Sequence, residues 1–303
     1  MTFVVADALP PFTLNFGLDI QVMLRYDFMR QAFIAGAILS VLAGLVGYFM
    51  VLRHQVFAGE SLSDVAFTGA LGGAVIGINP FVSLLITTVA VGLGMSVFGE
   101  RLRERDVAIG TVLAWIMGLG AFFLNLFTTQ VSGTGTGFSG ITILFGNILD
   151  ISVEQLRLIS IVSGLTILAL CLIARPLLFA SLDPDVAAAR GIPVRFLGAG
   201  FMILLAITVA EATMAVGAFL AFALLLLPAA LAHQTTSRPF VALSLALIFA
   251  VVLTWLGLTI GFYTGYPSSV CITLLAFISY LCTVGTIHVR AWLQRSNYLR
   301  QPA

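Results

Sequence analysis

The sequence predicts an all-α polytopic membrane protein of about nine transmembrane helices, within a range of eight to ten. Of its 303 residues 60% are hydrophobic and 9% are charged, whereas about 25% of an average soluble domain is charged. Its mean hydropathy is +1.11. The apolar runs between charges and Pro/Gly breaks approach the ~20 residues that a helix needs to cross the hydrocarbon core. Nine such runs fall near residues 31–52, 62–78, 81–99, 107–127, 156–174, 196–211, 214–232, 240–262 and 267–287.

Residues 1–30 contain Asp7 and Asp19, with Arg25 as the first basic residue. They lack the basic start of a cleavable signal and read as an extramembrane or interfacial lead-in. Residues 31–287 form the transmembrane domain, and 288–303 a cytoplasmic tail. All 14 basic residues are Arg. A phosphate-binding loop requires its lysine, so the chain carries no nucleotide site of that type, and ATP-driven work falls to a partner. No nucleic acid is expected as a partner; the lipid bilayer is.

Arginines in short loops favour the cytoplasmic side. With the N-terminus outside, Arg53, Arg101, Arg103, Arg105, Arg175, Arg190, Arg195, Arg238, Arg290, Arg295 and Arg300 fall inside, leaving Arg25, Arg30 and Arg157 outside. An odd helix count then places the C-terminus inside.

Between the first two runs, the stretch from Val51 to Gly73 carries Glu60 and Asp64. Acids four residues apart share one face of a helix. Two readings are open: an ion pathway, the default for ionisable groups within membrane segments, or capping of a helix start, where acids suit the dipole. Further along, Gly69, Gly73 and Gly77 recur every fourth residue, a spacing that lets helices pack closely in lipid.

The loop Glu100 to Asp106 alternates in sign and reads as a solvated inside turn. On the outside, the Gly-rich loop Val131 to Gly140 holds Gly137-Phe138-Ser139-Gly140, which resembles the G-x-S-G pattern of rhomboid intramembrane proteases. A serine nucleophile needs a base, and the candidate His233 falls at a cytoplasmic end, on the opposite membrane face.

In the segment from Ser181 to Val194, Asp183 is placed to cap a helix with Pro184 at its first position and Asp185 in its acidic first turn, and Arg190 and Gly191 close it. Such a helix is too short to span. Its small residues Ala187 to Ala189 favour protein packing over burial in a lipid surface, as in a coupling knob for a motor subunit. Glu211 is a lone acid near the junction of the sixth and seventh runs. It reads as an interfacial acid at a helix end, with a pathway ligand and a partner for a buried polar group as alternatives. Cys171, Cys271 and Cys282 lie in apolar runs without CxxC spacing and are expected to be small buried hydrophobes.

Several ordered blocks resemble the permease subunits of zinc/manganese ABC importers, the ABC-3 family. They are Val51-Leu52-Arg53 with Ala58 to Asp64; Asp106 to Gly110; Leu144 to Leu149; Leu182-Asp183-Pro184-Asp185 through Arg190-Gly191-Ile192; Val216-Gly217 to Pro228-Ala229-Ala230; and Pro267-Ser268-Ser269. The resemblance implies an ABC importer permease bundle working as a homodimer with two cytoplasmic ATPase subunits and an extracytoplasmic metal-binding protein. It also implies metal-pathway roles for Glu60 and Asp64, which stand where the family has Asp and His; Thr68 replaces its Pro. On this reading the chain binds no cofactor of its own, and its cargo is a divalent transition metal, zinc first and manganese second. The runner-up cargo class is a siderophore or cobalamin, and the enzymatic alternative is the protease reading of Ser139.

Overall fold

The computed structural model describes residues 23–98, 105–131 and 146–298. Its helices are α1 (Asp27–Leu52), α2 (Val56–Ile76), α3 (Pro80–Phe98), α4 (Arg105–Leu126), α5 (Val153–Leu182), α6 (Pro184–Ala189), α7 (Val194–Val216), α8 (Ala218–Thr235), α9 (Pro239–Thr264) and α10 (Ser268–Tyr298). No strand occurs among the described residues.

Each of the nine apolar runs corresponds to one long helix, and α6 is an additional short α-helix. Among the described residues six spans are long and apolar enough to cross a membrane: α1, α5, α7, α8, α9 and residues 268–287 of α10. Residues 80–96 and 113–129 form shorter apolar helices. In α2 the apolar character is diluted by Glu60, Ser61, Ser63, Asp64 and Thr68.

Local chemistry accounts for the breaks. Gly77 ends α2 at φ 81° and Gly265 ends α9 at φ 71°, in the left-handed region that glycine enters without a Cβ penalty. Pro239 opens α9, where a missing N–H costs nothing. α5 opens with a capping box: Gln155 N donates to Ser152 Oγ, and Ser152 N donates to Gln155 Oε1.

The bundle is organised around α1 and α7, whose apolar windows are each 72% buried. α1 packs against α5, α8 and α9, and α7 packs against α2, α3, α5 and α8. α2 and α4 pack together on one flank; α8, α9 and α10 pack together on the other. α5 and residues 268–287 are only 22% and 17% buried. Their outward Leu165, Leu172, Leu274 and Leu281 suit a hydrocarbon solvent. Cys171 and Cys282 also face outward, so the expectation that they are buried is corrected: each lies on the outer side of a wall helix.

Buried polar groups pair between helices. Ser40 Oγ donates to Thr254 Oγ1 at 2.7 Å, tying α1 to α9. The His233 ring stacks on Tyr48 at 4.9 Å between centroids, tilted by 4°, and its Nε2 lies 3.4 Å from the Tyr48 carbonyl oxygen. This contact joins α8 to α1.

Candidate functional site

α2 begins at Val56 after Gln55, and its first turn contains no acid. Glu60 is therefore the fifth helical residue and Asp64 the ninth, beyond the reach of the unsatisfied N–H groups of the first turn. Neither acid therefore stands in the first turn, where a cap belongs. Glu60 is exposed and Asp64 half-buried, and among the described residues neither carboxylate has a hydrogen-bond or ion-pair partner. The adjacent hydroxyls are spent within the helix: Ser61 Oγ donates to the Phe57 carbonyl at 2.8 Å and Ser63 Oγ to that of Gly59 at 3.2 Å.

The helix carrying the two acids is held from both sides. Ser83 Oγ donates to the Gly69 carbonyl at 2.8 Å, and a Cβ on Gly69 or Gly73 would collide with Thr87 or Ser83 of α3. Opposite α3, Thr68 Oγ1 donates to the Ile116 carbonyl of α4 at 3.2 Å. Gly69 and Gly73 thus serve helix approach, as their spacing predicts, while Gly77 serves as the cap. The result is a pair of like-charged carboxylates one turn apart on a fixed helix. They supply oxygen donors without an imidazole, a set suited to hard divalent cations.

Glu211 is not at a helix end. α7 continues to Val216, and the break comes at Gly217, where φ is 85°. Glu211 is 2% exposed, and its Oε1 accepts a 2.6 Å hydrogen bond from Ser163 Oγ of α5. The interfacial reading is therefore corrected to a buried acid between two helices. Gly92 faces Leu62 of α2 as well as Met202 and Ala206 of α7, which sets these residues at one level of the bundle. Glu211 lies beyond that level, toward the C-terminal end of α7, and no hydrogen bond joins it to Glu60 or Asp64.

α6 has the cap its sequence predicts. Asp183 Oδ1 accepts from Val186 N at 3.1 Å, Pro184 occupies the first turn, Arg190 follows as C-cap, and Gly191 turns the chain at φ 78°. The Arg190 guanidinium stands 5.4 Å from the Phe179 ring centroid, fixing the end of α6 on the end of α5. Ala187 is buried, whereas Asp185, Val186, Ala188 and Ala189 are exposed.

Two of the resembling blocks meet in space. Gly146, at φ 63°, lies against the Val216–Gly217 peptide so closely that a Cβ would overlap it. Ser139 and the loop residues 99–104 lie outside the described residues.

The model of the ABC 3 transport family matches residues 25–286. The chain belongs to the ABC 3 transport family. It is 31% identical over 255 residues to the manganese transport system membrane protein MntC of Halalkalibacterium halodurans, covering 84% of this chain and 85% of that one. It is 28% identical over 267 residues to the chelated iron transport system membrane protein YfeD of Yersinia pestis, covering 88% and 87%. Among solved structures, PsaBC from Streptococcus pneumoniae in complex with Fab superposes with a TM-score of 0.76 at 26% identity, covering 88% of this chain and 95% of that chain.

As an ABC 3 family member the chain is a multi-pass membrane transport protein. His233 is correspondingly engaged in packing on Tyr48. The sequence gives no sign of the roles of Ser163 and Thr213, and it marks Arg53 only as an inside arginine and a member of the first resembling block. Ser163 was detectable only as a small polar residue in the run 156–174. Arg53 donates to Ser181 Oγ at 3.3 Å and lies 5.7 Å from the Phe201 ring centroid, pairings that link α1 to the far end of α5 and to α7.

Proposed function

We propose that this chain is the permease subunit of an ATP-driven importer of divalent transition metal ions, with manganese ahead of zinc. The observation that carries the reading is the unpartnered pair Glu60 and Asp64 on one face of a helix fixed between two others. Two carboxylates offset a +2 charge, and a donor set of oxygen without imidazole favours manganese over zinc. The manganese names of relatives such as MntC point the same way.

One chain's two carboxylates leave a metal's coordination shell incomplete. A second copy of the chain across a shared pathway, together with water, would complete it. Two cytoplasmic ATPase subunits supply the energy through α6, with Asp183, Pro184, Asp185, Arg190 and Gly191 forming the coupling element, and an extracytoplasmic metal-binding protein delivers the cargo. Without a lysine the chain cannot form a phosphate-binding loop, and on this reading it needs no cofactor of its own. Residues 31–287 constitute the permease domain in a bacterial inner membrane. Nine crossings, with α2, α3 and α4 counted among them, put the N-terminus outside and the 288–303 tail inside.

Uptake of radiolabelled manganese, zinc and iron(II) by cells expressing the whole complex tests the reading; iron is included because one relative is named for chelated iron. Glu60→Ala and Asp64→Ala should each lower manganese uptake by about tenfold or more while the complex still assembles. Unaltered uptake in the double variant would sink the pathway role of this pair.

A further inference from the structure

The end of the bundle opposite α6 contains a cavity of about 380 Å³ that neither Glu60 nor Asp64 lines. Its walls come from the α2–α3 turn, the segment ahead of α5, the first turns of α5 and the last turns of α7, and include Asn79, Asn147, Asp150, Gln155, Glu211 and Thr213. Two of its polar atoms are buried and have no hydrogen-bond partner: Glu211 Oε2 and Thr213 Oγ1. Their residues are 2% and 1% exposed. Such orphaned atoms are uncommon in a folded interior, and an ion or water that belongs with them is a recurrent cause.

The local amide oxygens are already engaged, that of Asn79 by Phe81 N at 2.9 Å. Asn147 Nδ2 donates to Asp150 Oδ2 at 2.6 Å, Asn147 Oδ1 accepts from Leu149 N at 3.4 Å, and Gln155 Oε1 accepts from Ser152 N at 3.0 Å. The oxygens left to face a guest are the second oxygen of Glu211, the Thr213 hydroxyl, and the Asp150 carboxylate at the exposed rim. No cationic side chain lines the cavity among the described residues. A buried carboxylate without a counter-charge is costly, and a cation in the cavity would relieve that cost.

We infer that this cavity is a second cation site, in which Glu211 and Thr213 bind a hard divalent ion of the manganese class and Asp150 attracts it at the rim. Under the topology proposed above the cavity opens outward, where cargo would enter before reaching Glu60 and Asp64. The entry role rests on that functional reading; the binding itself does not.

The test uses the intact complex in lipid nanodiscs, titrated with Mn²⁺ while the free-ion electron paramagnetic resonance signal is followed. In a Glu60→Gln/Asp64→Asn background, about one Mn²⁺ per chain should still bind. Adding Glu211→Gln, which keeps an acceptor for Ser163, should weaken that binding by about tenfold or more. Thr213→Val, a near-isosteric change, should weaken it by a smaller factor and serves as the second variant if Glu211→Gln impairs assembly. Titrations that superimpose with and without either substitution overturn the site, as does a parent complex that binds no Mn²⁺. A carboxyl that simply holds a proton would give that result. If the double-variant background keeps full uptake while the Glu211-dependent binding persists, the Glu60–Asp64 pathway fails and this site stands.

Discussion

His54 is the sole residue other than glycine with a positive φ among the described residues, at 54°. It sits where α1 gives way to α2, and the surrounding hydrogen bonds explain the conformation: His54 N donates to the Val51 carbonyl at 3.1 Å, and Gln55 N donates to that of Met50 at 2.9 Å. This is the paired C-terminal motif that usually places glycine at the left-handed position. Because the His54 side chain is exposed, it returns little packing for the steric cost of its Cβ. His54→Gly should therefore stabilise the protein by about 0.5–1 kcal/mol after allowance for glycine's freer unfolded chain. A higher thermal midpoint of the solubilised protein would be the readout, and a lower one would show that the imidazole holds the turn. Individual residues differed in how legible they were for a related reason. Glu60 and Asp64 stand out because a charge in an apolar run is conspicuous without knowledge of its neighbours. The surroundings of Glu211 are set by Ser163, 48 positions away, and local spacing carries no trace of that partner.

At the scale of elements, apolar length located every long helix but misplaced several ends. α5 was expected over 156–174 and runs to Leu182, through Arg175 and Pro176. A charge and a proline are stop signals in water, yet a membrane helix can continue past both when neighbours satisfy the freed backbone groups. α7 overran its expected end in the same way, because an acid paired with a serine need not terminate a helix. Helix contacts were legible only as a surplus of small residues; which glycine meets which helix is a tertiary fact. Gly47 of α1 faces the Leu225 carbonyl of α8 so closely that a Cβ would overlap it. Gly47→Ala should force α1 and α8 apart and cost about 3 kcal/mol, the upper range for overpacking. Gly164 has open space around its Cβ position, so Gly164→Ala should be neutral or stabilising by up to about 1 kcal/mol. Thermal midpoints of the two purified variants compare them directly, and equal behaviour would contradict the close α1–α8 approach.

For the whole molecule, α6 is attached so that a push on it reaches the helices that carry Glu60, Asp64 and Glu211. Arg190 on the Phe179 ring fastens α6 to the end of α5, and Arg53 joins the ends of α1 and α5 to Phe201 of α7. α7 in turn packs against α2, which bears Glu60 and Asp64, and against α5, which bears the serine bonded to Glu211. Force applied at α6 can thus be transmitted along rigid helices to both acidic positions. Val186 is the bulkiest apolar side chain that α6 leaves outward, 42% exposed, with Ala187 buried against the bundle. A knob that enters a groove of an ATPase must desolvate Val186, and a carboxylate there would be costly to desolvate. Val186→Asp should lower manganese uptake by about tenfold or more, since 1.4 kcal/mol of docking energy corresponds to a factor of ten. Mn²⁺ binding to the permease should remain at the parent level, because Val186 touches neither acidic position. Co-purification of the ATPase together with uptake measured on the same preparations distinguishes the outcomes: normal association with normal uptake would make α6 a surface connector, whereas loss of both with binding retained would identify it as the coupling element.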